Sequence, residues 1–78
     1  MTIQQKAILL NALISYLERM KSRGYKYVQR KFIYAIMEDM YDWQKKCGAY
    51  LTVDLMQEAA KALGGRYDNS GRQAKIVF

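Results

Sequence analysis

Four glycines, Gly24, Gly48 and the pair Gly64-Gly65, cut a proline-free chain of 78 residues into three apolar-periodic segments and a tail. No proline interrupts a segment from within. Each glycine stands where a helix would end in a left-handed cap. The expected fold is therefore mainly α (α+β): three helices followed by a C-terminal β-hairpin, in one compact domain over 1–78. The helices are expected at about 3–23, 27–47 and 53–63, and the hairpin at 65–78.

Thr2 and Gln5 form a T-x-x-Q pattern that suits a capping box at the start of the first helix. Behind it Ile3, Ala7, Leu10, Ile14 and Leu17 recur at helical spacing, and Leu9, Leu13, Tyr16 and Met20 widen the stripe. Ile8 is stranded on the polar side. In the second segment, winding at about 100° per residue places Val28, Phe32, Ala35, Ile36, Met40 and Trp43 on one face, with Ile33 at its edge. Tyr27, Tyr34 and Tyr41 then fall seven apart on the opposite face. The first residues of this segment, Tyr25-Lys26-Tyr27-Val28, equally suit a short strand. Thr52 is placed to cap the third helix, with Asp54 in its first turn and Leu55, Met56, Ala59, Ala62 and Leu63 facing inward. In the tail, Asp68-Asn69-Ser70-Gly71 is turn chemistry. Ala74, Ile76 and Phe78 then alternate with polar or outward positions, as in a strand buried on one side. Such a hairpin must pack on the helices or pair with another edge.

Several function classes are disfavoured. With no histidine, the chain lacks the usual general base at neutral pH. Cys47, the only cysteine, has no imidazole to activate it and reads as a structural thiol on the core side. Glu38, Asp39 and Asp42 are the one acidic cluster; Glu38 and Asp42, one turn apart, have the spacing to hold a hard metal ion through water, but Asp42 is better matched to Lys45 or Lys46. No zinc-ligand spacing, phosphate loop or dinucleotide fingerprint occurs. The expectation is a non-enzyme without metal or cofactor. A lone cysteine forms no intramolecular disulfide, and the N-terminus lacks signal-peptide features. The longest apolar run, Ala7 to Leu10, is four residues. The expected setting is cytoplasmic and away from membranes.

Charge is unevenly placed. The chain carries a net +6, and the stretch Arg19 to Lys31 alone holds six cations and no carboxylate, so the other charges balance. These six are Arg19, Lys21, Arg23, Lys26, Arg30 and Lys31. A helix C-terminus attracts cations, which accounts for Lys21 and Arg23 but not for all six. A local positive field next to Tyr25 and Tyr27 suits nucleic-acid phosphates and bases. Arg66, Arg72 and Lys75 extend the patch if the hairpin folds back towards it. The row Tyr27, Tyr34 and Tyr41 is either a packing face for the third helix or the hairpin, or a protein-binding surface.

Three helices and a terminal hairpin resemble the element order of a winged helix-turn-helix domain, a likeness of order alone. In that fold the third helix enters the major groove. Here its outer face carries Asp54, Gln57, Glu58 and Lys61, which phosphates would repel on balance, so docking is expected at the basic junction and the hairpin instead. Two functions follow from this. One is a small nucleic-acid-binding or regulatory domain. The other is a non-catalytic inhibitor or adaptor, of the compact sort carried by phages and mobile elements, that docks on a larger host complex such as a nucleic-acid-handling machine. The partner is accordingly nucleic acid or an acidic protein surface. A homodimer is one way for so small a core to gain buried area.

Overall fold

The computed structural model describes residues 2–78. The first helix, α1, spans Ile3–Ser22. The Thr2 hydroxyl accepts from the Gln5 N–H, and the Gln5 side chain accepts from the Thr2 N–H, so the capping box forms as expected. At its other end Gly24 adopts φ 92°, and the Tyr25 N–H returns to the Met20 carbonyl at 3.2 Å. That bond and the one from the Gly24 N–H to Lys21 O close a Schellman turn.

The second segment is not the single helix expected over 27–47. It divides into β1 (Tyr27–Gln29), α2 (Arg30–Ile36), a 3₁₀ turn (Glu38–Met40) and α3 (Tyr41–Cys47). Tyr and Val favour a strand at its start, and the C-terminal strand supplies the partner edge. The Phe78 N–H reaches Lys26 O at 3.1 Å, and the Arg30 N–H reaches Ala74 O at 2.8 Å. The second break falls at Met37 (φ −91°, ψ 3°) and Met40 (φ −97°, ψ 6°), which leave helical geometry. The Met37 carbonyl accepts from the Met40 N–H at 3.0 Å, and buried Gln44 adds a second bond to it from Nε2 at 3.3 Å, tying α3 to the break. Because the axis turns twice, the expected apolar face does not hold. Ile33 and Met37 are buried, whereas Phe32 is 54% exposed and Ala35 is also exposed. Ile36, Met40, Trp43 and Cys47 lie half-buried at the core's margin.

The last helix, α4, spans Val53–Ala62, and the Thr52 hydroxyl caps it by accepting from the Leu55 N–H at 3.3 Å. Leu55, Met56, Ala59, Ala60 and Leu63 are buried. Ala60 takes the inward place expected of Ala62, which is exposed. Two short strands complete the chain, β2 (Arg66–Asp68) and β3 (Lys75–Val77). They form the expected hairpin, and β3 also pairs with β1, giving an antiparallel sheet in the order β1-β3-β2. Ile76 stands opposite both Val28 and Tyr67 in the middle of the ladder.

The architecture is α+β and mainly helical, with four helices rather than three and a three-stranded sheet rather than a lone hairpin. The core forms where Leu9, Leu13 and Leu17 of α1 meet α4, with Val28 and Ile76 joining from the sheet. Leu9, Leu13 and Leu17, one turn apart, are its seam, so the buried stripe on α1 is centred away from Ile3 and Ala7, which are exposed. A ten-residue α4 covers only part of a twenty-residue α1.

Candidate functional site

The basic cluster is best judged by what each cation has for a partner. Two ion pairs occur among the described residues, Lys6–Glu58 at 2.8 Å and Arg66–Asp68 at 3.9 Å. Neither involves the six cations from Arg19 to Lys31, and the expected pairing of Asp42 with Lys45 or Lys46 does not form. Two of the six are nevertheless occupied. Lys21 donates its ammonium to the Leu63 carbonyl at 2.8 Å, where α4 ends. It therefore offsets a helix dipole, but that of α4 rather than its own helix. The Arg19 guanidinium lies 4.8 Å from the centre of the Tyr16 ring, and the Tyr16 hydroxyl donates to Asp39. That hydrogen bond, followed by burial and the Asp39 charge, raises the Tyr16 pKa above its ordinary value. Arg23 is exposed at the C-cap of α1.

The other three behave differently. Lys26 is exposed on the approach to β1. Arg30 and Lys31 form the first turn of α2, which contains no acidic residue and whose N-cap, Gln29, makes no side-chain cap. Cations here oppose the helix dipole, since an N-terminus favours negative charge. Their placement is not explained by helix stability. The chain's return through the hairpin brings Arg72 to them: Gln29, Arg30, Lys31, Tyr34 and Arg72 line one shallow groove of about 300 Å³. Lys75 adds a further ammonium on the outer side of the sheet, 5.1 Å from the centre of the Tyr27 ring. Arg66 lies on the other edge strand and is held loosely by Asp68.

Of the expected site residues, the structure thus brings together Arg30, Lys31, Arg72 and Tyr34, with Lys75 and Tyr27 adjacent through the β1–β3 pairing. It separates Arg19 and Lys21, which are engaged elsewhere. Tyr25 and the row Tyr27, Tyr34 and Tyr41 are each about half exposed, at 54%, 49%, 49% and 55%. The row is therefore only half covered: Tyr27 lies against Lys75 of β3 and Tyr34 shares a groove with Arg72 of the hairpin loop, while the other half of each ring faces outward. Tyr34 and Tyr41 line a second groove together with Tyr50, floored by Met37 and Leu51.

Three surface residues escaped the sequence reading: Phe32, Gln29 and Tyr50. Helical phase run through from Val28 places Phe32 in the core, but β1 ends at Gln29 and α2 starts afresh at Arg30, which leaves Phe32 outside. Gln29 and Tyr50 carry no local signal, since only the fold sets them beside charged or aromatic neighbours. No set of three or more potential metal-ligating side chains converges among the described residues, and no helix is long and apolar enough to cross a membrane. Comparison with protein-family models, with curated proteins and with solved structures finds no match.

Proposed function

We propose that this chain is a small non-catalytic nucleic-acid-binding domain that grips phosphates with Arg30, Lys31 and Arg72. One observation carries the reading: three cations from two distant parts of the chain line one groove without a carboxylate partner, two of them against a helix dipole. Charges placed at a cost to local stability are held there by what they meet. Tyr34 within the groove and Tyr27 beside it supply hydroxyls for phosphate oxygens and faces for unpaired bases. The element order departs from the winged-helix-like one expected from the sequence, with four helices in place of three and a strand after the first helix that joins the C-terminal hairpin. The outer face of α4 bears Asp54 and Glu58, the latter tied to Lys6, so the docking side is α2 and the hairpin loop.

Fluorescence anisotropy with labelled single- and double-stranded oligonucleotides of mixed sequence tests this. Binding should weaken linearly in log salt, and changing Arg30, Lys31 and Arg72 together to Ala should flatten the slope by about two to three units. Absence of binding at low salt, or a triple variant that binds like the parent, overturns the proposal. A second reading, a protein-binding inhibitor or adaptor, is favoured by the exposed Tyr34, Tyr41 and Tyr50 around their shared groove. Such a complex would persist at salt concentrations that release phosphates, and replacing those three tyrosines by Ala would abolish it.

A further inference from the structure

Strand β1 has one satisfied edge and one open one. In its ladder with β3, Lys26 and Arg30 hydrogen-bond across the pair, and the register places Val28 opposite Ile76. Antiparallel pairing alternates, so residues 26, 28 and 30 face β3, and the main-chain groups of Tyr27 and Gln29 point the other way. The Gln29 carbonyl is taken up as the N-cap of α2. That leaves the Tyr27 N–H, the Tyr27 C=O and the Gln29 N–H along the free edge. This edge borders a groove of about 590 Å³ whose other walls are Met20 of α1 and Phe32, Ala35 and Ile36 of α2. No carboxylate lines it. Instead Lys26 lies at its margin, the Lys31 ammonium stands 5.5 Å from the Phe32 ring centre, and Lys75 stands 5.1 Å from that of Tyr27.

We propose that this edge takes up an extended, acidic segment of a partner protein as a fourth strand beside β1. The inference goes beyond the phosphate-binding reading and does not rest on it. Main-chain bonds to Tyr27 and Gln29 supply the pairing. A residue opposite Tyr27 lies on the outer face of the sheet, beside Lys75. Its two neighbours lie on the Val28 side, against Met20, Ala35 and Ile36. The pattern recognised is therefore apolar residues alternating with Asp or Glu. A second copy of this chain does not fit the edge. A two-fold pairing would bring the cations Lys26, Arg30, Lys31 and Lys75 of two copies together with no carboxylate on the edge to offset them, and lysines on an edge are a common bar to self-pairing.

The test uses the full chain, isotopically labelled for amide spectra, and a fluorescent peptide of about six residues alternating valine and glutamate. A peptide alternating valine and lysine is the control. The acidic peptide should bind and shift the amides of Tyr27 and Gln29; the basic one should not. Gln29→Pro is the decisive variant. Gln29 already has φ −68° and ψ 148°, which proline accepts, so the fold should tolerate it while the edge loses a donor. Peptide affinity should fall about tenfold or more. Phe32→Ala, at a side chain 54% exposed, should weaken binding too and keeps the test decisive if the proline variant fails to fold. Arg72→Ala lies outside the groove and should leave peptide binding unchanged, so failure here and failure of the phosphate reading are separable. Equal binding of the two peptides, or none of either, overturns the proposal. So does a concentration-dependent dimer lost in Gln29→Pro, or an oligonucleotide that shifts those amides when the acidic peptide does not.

Discussion

Replacing Gly65 by alanine probes the contact on which the sheet's seat against α4 depends. Gly65 follows the left-handed Gly64 and returns its N–H to the Ala60 carbonyl at 2.8 Å, closing the end of α4 immediately before β2 begins. A methyl carbon on Gly65 would lie 2.1 Å from the Val77 carbonyl oxygen, 3.0 Å from its carbon and 3.1 Å from Phe78 Cα. These are main-chain atoms of β3 and its exit, so no side chain can swing away. Carbon and oxygen in close contact sit about 3.3 Å apart, so the strand must retreat by roughly 1 Å. A ladder bond stretched by that much is lost. Overpacking costs about 1–3 kcal/mol and one lost hydrogen bond about 0.5–1.5 kcal/mol. The stiffer unfolded chain offsets about 0.4–1 kcal/mol of this. The net loss is about 2–3 kcal/mol, a fall in Tm of roughly 10–20 °C for a domain of this size. Two other glycines calibrate the measurement. Gly64→Ala meets open space but must hold φ 75°, costing about 1 kcal/mol. Gly71→Ala meets nothing and has no positive φ, so it should stay within about 0.5 kcal/mol of the parent. Urea unfolding followed by far-ultraviolet circular dichroism gives all three. If Gly65→Ala proves as stable as Gly71→Ala, the close approach of β2 to β3 at this point is wrong.

Two further expectations concern the sheet. The Tyr67 hydroxyl is buried without a hydrogen-bond partner among the described residues, so Tyr67→Phe should stabilise the protein by about 1 kcal/mol in the same urea assay; a loss would mean that the hydroxyl is satisfied. In the hairpin loop, the Ser70 hydroxyl and then the Ser70 N–H, 2.9 Å away, donate to the Asp68 carboxylate and lower its pKa, with Arg66 and Lys75 adding to the effect. A depressed folded-state pKa stabilises the fold above the unfolded aspartate value of about 3.9, and that contribution disappears as pH falls through the folded value. The stability deficit of Ser70→Ala should therefore shrink as the pH is taken from neutral to below about 4; a deficit independent of pH would remove Asp68 as its cause.

How much of this was legible in the sequence follows from the range of the interactions concerned. The capping box at Thr2, the Thr52 cap, the stops at Gly24, Gly48 and Gly64, and the Asp68–Ser70 turn are contacts within a few residues. Backbone geometry and side-chain chemistry decide them wherever the segment lies, so the sequence alone determined them. The fate of Tyr27 to Gln29 was open on local grounds, because aromatic and β-branched residues suit a strand or a helix. It was settled when β3, from the other end of the chain, offered an edge to pair with. That pairing interrupts the helical phase, so that Ile33 is buried and Phe32 faces outward. The same return of the chain set Arg72 beside Arg30 and Lys31, while the packing of α1 on α4 took Lys21 to the end of α4. Sequence determined that positive charge would gather near one junction; only tertiary packing decided which of those charges were consumed by the fold and which were left facing outward, because a cation's partner is chosen by proximity in space.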